Sequence, residues 1–256
     1  MPITGCFPIL ENRPLTAQDY SMTVETPALV REARPGQFVH IRCGDGLLLR
    51  RPISICDADP GSGTLRLVYQ VKGAGTAWLA RRKAGESADL LGPLGHGFQI
   101  PAGKILVVGG GIGVPPMVYA AKCADAAVAA VGFRSSAQVL LTGDLEQICQ
   151  RVALISDDGS TGRRGFVNVL VREILAEEPE IAAVLACGPK PMLKTAAEAA
   201  AEAGVPCQVS LEERMGCGLG ACLVCACRIR TPEGERCLHV CKDGPVFNAE
   251  EVCWDG

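Results

Sequence analysis

The sequence predicts a β plus α/β protein: an N-terminal antiparallel β-barrel, a doubly wound parallel sheet, and a small cysteine-rich C-terminal subdomain. Three observations predict it. Residues 1–101 carry short alternating or β-branched runs separated by turn formers. From 102 to 208, apolar strand candidates alternate with helix candidates, the rhythm of a parallel sheet covered on both faces. From 209 to 256, seven of the fourteen cysteines crowd into the tail.

In the first zone the strand candidates are 21–25, 38–42, 53–56 and 65–71, punctuated by Arg34-Pro35-Gly36, Asp59-Pro60-Gly61 and Gly92-Pro93-Leu94-Gly95 as turns. In the second zone 104–108 reads as a buried parallel strand. Further strands are expected at 127–131, 152–156 and 182–186, with helices at 116–126, 165–177 and 191–203.

The bulk numbers exclude several classes. Hydrophobic residues make up 48% of the 256 positions and charged residues 21%, the balance of a folded globular chain. A formal charge of −3 leaves no basic surplus for a polyanion, so no nucleic-acid partner is expected. Residues 1–10 lack a charged stretch followed by an apolar run, so no signal peptide is expected. The apolar stretch 105–121 is broken by Gly109, Gly110, Gly111, Gly113, Pro115 and Pro116. Crossing a bilayer takes roughly 20 uninterrupted apolar residues, so no membrane span is expected.

The cysteines divide in two. Cys6, Cys43, Cys56, Cys123, Cys149, Cys187 and Cys207 are scattered singly and read as reduced, small apolar side chains. Cys217, Cys222, Cys225, Cys227, Cys237, Cys241 and Cys253 cluster and read as a metal site rather than a disulfide framework. Cys217, Cys222 and Cys225 have the C-x4-C-x2-C spacing of plant-type [2Fe–2S] ligation. Such a cluster needs four thiolates, and Gly216, Gly218 and Gly220 free the loop to fold over it and turn backbone N–H groups toward sulfur. The fourth ligand is Cys241 or Cys237; spacing alone leaves both open. Zinc is the plain alternative, but zinc ribbons use two C-x2-C pairs, and this tail has one unless Cys225-Ala226-Cys227 substitutes.

Gly109-Gly110-Gly111-Ile112-Gly113-Val114-Pro115-Pro116 follows a strand and opens a helix, where a dinucleotide pyrophosphate can approach bare backbone. Val114 stands where the last glycine of the full fingerprint would be, and Phe133-Arg134-Ser135-Ser136 stands where an acidic residue would be. A tight turn without a ligand explains this loop equally well. A second loop, Cys187-Gly188-Pro189, ends another apolar strand and would lie beside the first. Upstream, Arg50-Arg51-Pro52-Ile53-Ser54 and Val68-Tyr69-Gln70 precede Gly75-Thr76, which would open a helix at 77–82. An arginine clamp, a hydroxyl and a helix start can together hold a phosphate. Taken singly, each also fits an ordinary solvated surface.

In order, Arg51-Pro52-Ile53-Ser54, Gly75-Thr76, the loop from Gly109 to Pro116, and Cys187-Gly188-Pro189 resemble the ferredoxin–NADP reductase superfamily, with Ile53 where that family often has Tyr. With the cysteine tail and the Asp243-Gly244-Pro245-Val246-Phe247 ending, the chain resembles the electron-transfer subunits of NAD-dependent (class 1B) dihydroorotate dehydrogenases. The resemblance implies an FAD-binding barrel at 1–101, an NAD-binding domain at 102–208 and a [2Fe–2S] subdomain at 209–256. It implies flavin contacts at Arg51, Pro52, Ile53, Ser54, Val68, Tyr69, Gln70, Gly75 and Thr76. NAD(H) would lie over Gly109, Gly110, Gly111, Ile112, Gly113, Cys187, Gly188 and Pro189. The cluster ligands would be Cys217, Cys222, Cys225 and Cys241, with Cys227 and Cys237 as packed thiols nearby.

The resemblance further implies a cytoplasmic relay from NADH through FAD and the cluster to an FMN-containing catalytic subunit, two of each chain forming a heterotetramer for pyrimidine biosynthesis. No acid or base of this chain is implied in the hydride step, and Cys187 is a neighbour of the nicotinamide. Arg134 would suit a 2′-phosphate, whereas the resemblance favours NAD. The rival readings are a subunit of an NAD(P)H–ferredoxin oxidoreductase or sulfide dehydrogenase, and a zinc-stabilised nucleotide sensor.

Overall fold

The computed structural model describes residues 2–255. The chain opens with β1 (Ile3–Pro14), β2 (Asp19–Glu25), α1 (Pro27–Glu32), β3 (Phe38–Ile41), β4 (Arg51–Asp59), β5 (Thr64–Gln70), α2 (Ala74–Ala80) and β6 (Ser87–Leu94). These six strands close into an antiparallel barrel in the order β1-β2-β5-β4-β3-β6, which leaves no open edge. Strand alternation fills it. Leu65, Leu67 and Tyr69 of β5 point into the barrel core with Met22 and Val24, while Val68 faces the other way and joins the core of the second domain.

Two barrel elements differ from expectation. Strand β1 was not foreseen, because Thr4, Cys6, Pro8 and Leu10 form an exposed row that dilutes its pattern. The stretch Gly92-Pro93-Leu94, expected as a turn, is the end of β6, with Gly92 opposite Ile3 and Leu94 opposite Phe38. Glycine is needed at position 92 for packing: a Cβ there would stand 2.8 Å from Val39 Cγ1.

The second part runs β7 (Lys104–Gly110), α3 (Val114–Lys122), β8 (Ala126–Phe133), α4 (Thr142–Ile148), β9 (Arg151–Ser156), β10 (Arg163–Arg164), α5 (Val167–Glu177), β11 (Ile181–Cys187), α6 (Lys190–Glu202) and β12 (Cys207–Ser210). The tail adds β13 (Ala226–Thr231), β14 (Gly234–His239) and β15 (Val246–Asn248). The sheet order is β10-β9-β8-β7-β11-β12-β15, parallel throughout except for β15, which runs antiparallel on β12. Alternate residues of β7 feed the two faces: Ile105 and Val107 pack with α3 and α4, Leu106 and Val108 with α5 and α6. Strand order reverses direction between β7 and β11, the switch point at which open α/β sheets bind ligands.

Gly109 and Gly110 belong to β7 rather than to a free loop, and only Gly111–Gly113 form the turn, as a 3-10 helix. They are glycines for packing. A Cβ on Gly109 would stand 2.8 Å from Val114 Cγ2, and one on Gly113 would run into the Cys187 carbonyl. The helix after them starts at Val114, with Pro115 in its first turn, and is buried on all sides from Val114 to Ala121. It lies between the sheet and the barrel, which is why its sequence is apolar all round.

Polar contacts lock the two parts together. Tyr119 of α3 donates its hydroxyl to the Ala33 carbonyl at 3.2 Å. Lys122 pairs with Asp57 of β4 at 2.8 Å, and Arg66 of β5 pairs with Asp144 of α4 while donating to Ser21 Oγ. Gln99 and Gln208 exchange hydrogen bonds at 2.8 and 2.6 Å. Tyr119→Phe removes only the hydroxyl bond and is expected to lower stability by about 0.5–1.5 kcal/mol. Tyr119→Ala opens a cavity in the same place and is expected to lose about 3–5 kcal/mol. Urea unfolding checks both; equal losses would show that this helix is not wedged against the barrel.

Candidate functional site

A cavity of about 430 Å³ opens where the barrel, the switch point and the tail meet. That volume lies within the range of small-molecule and cofactor sites. From the barrel it is lined by Arg51, Pro52, Ile53, Ser54, Val68, Tyr69, Gln70, Gly75 and Thr76, all of the flavin positions read from the sequence. From the sheet it takes Ile112 and Cys187. Gly109, Gly110, Gly111 and Gly113 do not line it, and Gly188 and Pro189 line a neighbouring cavity of about 340 Å³. Ser210, Glu212 and Met215 also line the first cavity and carried no sequence signal, and Pro245 of the 243–247 ending joins them. They come from β12 and the segments beside it, which only tertiary pairing brings here.

The two arginines of the N-terminal motif part ways. Arg50 turns to the barrel, with its guanidinium on the Asp89 carboxylate at 2.8 Å and the Asp89 carbonyl at 3.1 Å. Arg51 faces the cavity and lies against Gly75, where an added Cβ would be 2.6 Å from its Nε. Glycine at position 75 therefore makes the cradle in which the guanidinium rests. Helix α2 spans Ala74–Ala80 rather than 77–82, because Thr76 Oγ accepts the Lys72 and Gly73 amides at 2.9 and 3.3 Å and caps its first turn. The Tyr69 hydroxyl donates to Asn12 at 3.0 Å and its ring stacks on Tyr20, so this side chain stays inside the barrel.

Cys187 ends β11 at the floor of the cavity, fully buried. Burial and the neighbouring Glu212 carboxylate push its thiol up to about 12, against a smaller easing by Ser210. A thiol there is protonated and weakly nucleophilic across the physiological range.

The cysteine loop closes around two pairs of sulfurs. Cys217 N–H donates to Cys222 Sγ at 3.3 Å and Cys222 N–H donates back to Cys217 Sγ at 3.4 Å. Cys241 N–H donates to Cys225 Sγ at 3.4 Å, and the Cys225 thiol touches that of Cys241. Gly220 N–H joins the pairs by donating to Cys241 Sγ at 3.2 Å. Gly218 and Gly220 take φ of +73° and +78°, and Leu223 takes +60°, a conformation of order 1–2 kcal/mol above the right-handed one for a residue with a Cβ. Among the described residues, no three cysteine, histidine or carboxylate side chains converge as a single metal ion would require.

Burial separates the pairs: Cys225 and Cys241 are buried, Cys222 is exposed, and Cys217 lies between. Partial burial works to raise the Cys217 thiol, but the amides of Leu219, Cys222 and Ala221, with the Cys222 thiol, outweigh it and bring it down to about 6. Burial and the Cys225 thiol push Cys241 up to about 12. Around the exposed rim, Leu219, Leu223 and Val224 are each more than half exposed.

Cys237 lies apart from this loop. It stands on the β13–β14 hairpin opposite Arg228, exposed, rather than as a packed thiol; Cys227 is half-buried beside it. Of the scattered cysteines, Cys43, Cys56 and Cys187 are core residues as expected, whereas Cys6 and Cys123 are exposed. Cys6 points outward from β1, and Cys123 caps the C-terminus of α3.

Residues 212–253 match the family model of the iron-sulfur cluster binding domain of dihydroorotate dehydrogenase B. Over 245 residues the chain is 41% identical to the dihydroorotate dehydrogenase B (NAD(+)) electron transfer subunit of Caldanaerobacter subterraneus subsp. tengcongensis, covering 95% of this chain and 96% of that one. It is 40% identical over 255 residues to the subunit of the same name from Geobacillus thermodenitrificans, with 95% and 96% covered. Among solved structures, a chain of the NADH-dependent reduced ferredoxin-NADP oxidoreductase superposes with a TM-score of 0.85 at 31% identity, covering 100% of this chain and 92% of that one.

The Cys187 environment yields an alkylation pattern. At pH 8.5 a thiol held near 12 is thiolate in about one molecule in a thousand or fewer. Iodoacetamide treatment of the native chain at that pH is expected to label exposed Cys6 and leave Cys187 unmodified, read by peptide mass spectrometry. Labelling of Cys187 at a comparable rate would contradict the buried, protonated thiol.

Proposed function

The chain belongs to the family of electron transfer subunits of dihydroorotate dehydrogenase B (NAD(+)), and from that membership we propose how its residues carry electrons from NADH to a catalytic partner subunit. It is an oxidoreductase subunit whose cofactors are FAD, a [2Fe–2S] cluster and NAD(H). We assign FAD to the barrel, residues 1–101, NAD(H) to residues 102–208, and the cluster to residues 209–256.

The observation that carries the assignment is the pairing of sulfurs. A [2Fe–2S] cluster would be held by four thiolates, and the loop offers Cys217 with Cys222 and Cys225 with Cys241 as two pairs. Cys241 is favoured over Cys237 because its sulfur receives the Gly220 amide and its own amide reaches Cys225, whereas Cys237 sits on the outer hairpin. With its thiol raised to about 12, Cys241 would release a proton when the cluster is assembled, whereas Cys217, lowered to about 6, is already largely thiolate at neutral pH.

The cavity fits a flavin in the same sense. Arg51, held in the Gly75 cradle, would pair with its pyrophosphate. Pro52, Ile53 and Ser54 on β4 and the backbone of Val68, Tyr69 and Gln70 on β5 would flank the ring system. Ile112 and Cys187 close the cavity from the switch point, which supports docking of the nicotinamide from that side. Gly113 leaves room for the Cys187 backbone, so the two loops at the switch point meet without a gap. When bound, the flavin supplies hydride exchange with the nicotinamide and single-electron exchange with the cluster. The chain's own groups would bind, orient and exclude water; Cys187, held as a thiol on the cavity wall, would border the nicotinamide and move no proton.

The catalytic partner would be an FMN-containing dihydroorotate dehydrogenase subunit, two of each chain per assembly, working in the cytoplasm. Leu219, Leu223 and Val224 around exposed Cys222 support a docking face at the cluster rim. A ferredoxin oxidoreductase role is supported by the 31% identity to that structure, but the two named relatives are nearer in sequence at 40–41%.

Replacing Cys241 by Ser is expected to remove the cluster's EPR signal and to lower NADH-driven orotate reduction by the reconstituted complex by at least about tenfold, the lower bound for outer-shell changes. Reduction of the flavin by NADH should persist. Cys237→Ser should leave iron content and rate unchanged. The reverse pattern would exchange the fourth ligand, and an unaltered EPR signal in both variants would sink the cluster assignment.

A further inference from the structure

His40 belongs to none of the motifs above, yet it lies between the two electron-carrying sites. It sits on β3 with Pro52 of the flavin motif as its direct partner on β4 and with Leu91 of β6 on the other side. Its side chain is wholly buried, and neither Nδ1 nor Nε2 has a hydrogen-bond partner. Orphaned buried polar atoms are rare in folded proteins and destabilise them unless something absent from the bare chain satisfies them.

The ring's orientation says where that partner lies. A Cβ built on Gly218 would stand 2.8 Å from His40 Cε1, 2.9 Å from Nδ1 and 3.1 Å from Nε2. All three atoms of the polar edge therefore face the cysteine loop, one residue after Cys217. Phe38 packs on the ring at 5.8 Å between centroids, and Arg50 reaches only the His40 carbonyl, at 3.4 Å. No carboxylate competes for the ring N–H among these neighbours. Burial and the nearby Arg50 charge keep the imidazole neutral, with its titration lowered to about 4, so it has one donor to offer.

We propose that His40 is the barrel's hydrogen-bond donor to the cluster: its ring N–H is directed into the cysteine loop, onto a thiolate or sulfide of the bound cluster, and raises the cluster's reduction potential. The proposal rests on the cluster assignment made above. Reduction adds negative charge to the sulfurs, so a donor stabilises the reduced form more than the oxidised one. Gly218 is the residue that permits this approach, since any side chain there would occupy the space of the imidazole edge.

The experiment is an EPR-monitored redox titration of the full flavin- and iron-loaded chain, for wild type, His40→Leu and His40→Gln. Leucine fills the volume without a donor; glutamine keeps an N–H. The expected result for His40→Leu is a cluster that loads with iron but is harder to reduce by about tenfold in equilibrium, about 59 mV for one electron. Its g-values should change while the flavin potential stays at the wild-type value, and His40→Gln should restore most of the shift. A His40→Leu cluster with wild-type potential and g-values overturns the proposal. So does a glutamine variant shifted as far as the leucine one. If leucine prevents iron loading, a glutamine variant that loads with wild-type potential supports the donor role, and loss of iron from both variants makes His40 a packing residue and overturns it. A wild-type chain without any cluster signal would fail the cluster assignment itself, a result separable from all of these.

Discussion

The structure depends on how closely three pieces of backbone can approach one another where the tail meets the barrel. Gly95 and Gly244 stand at that seam. A Cβ on Gly95 would be 2.5 Å from Pro245 Cδ, and one on Gly244 would collide with the Phe247 ring. The His96 N–H donates to the Gly244 carbonyl at 2.6 Å, and Gln37 Nε2 donates to the Gly95 carbonyl at 2.8 Å. Add Gly218 against His40, and the cysteine loop is pressed onto β3, the strand paired with the one that carries the flavin motif. Single-electron exchange demands a short, fixed separation, and bare backbone at these positions would permit it.

The remaining contacts preserve that separation. Strand β15 pairs with β12, so the tail is stitched into the same sheet whose switch point faces the cavity. Phe38 and Leu94 of the barrel, Cys225, Cys241 and Phe247 of the tail, and Val184 and Val209 of the sheet share one hydrophobic cluster. Relative movement of any piece would shear that cluster, and close-packed interiors resist such deformation. The barrel, the sheet and the tail are accordingly packed through a shared core.

Fold class and cluster spacing were legible because each has a local cause. Parallel strands buried on both faces must read as apolar runs, and three of the four thiolates recur at short spacing on a glycine-rich loop, while the fourth stands apart from it. The glycines after β7 were ambiguous for an equally physical reason. Gly109 and Gly113 are demanded by Val114 and by the Cys187 carbonyl, whatever binds nearby. Their presence therefore reports packing first and nucleotide approach second. Strand β1 and the end of β6 escaped notice because closure of the barrel, not their own pattern, makes them strands. His40, Ser210, Glu212 and Met215 were invisible in principle: each is far in sequence from the group it faces, and none lies in a spaced motif.

The unequal burial of the sulfurs bears on the direction of electron flow. The inner pair, Cys225 and Cys241, is enclosed by the hydrophobic cluster that also contains Phe38 and Leu94, on the flavin side. The outer pair includes exposed Cys222 and is ringed by Leu219, Leu223 and Val224, on the solvent side. Low dielectric around the inner pair disfavours added negative charge, while the backbone amides of Leu219, Ala221 and Cys222 gathered on Cys217 favour it at the outer pair. The amides gathered on Cys217 would therefore favour added charge at the pair Cys217 and Cys222, next to the apolar rim where a partner would dock.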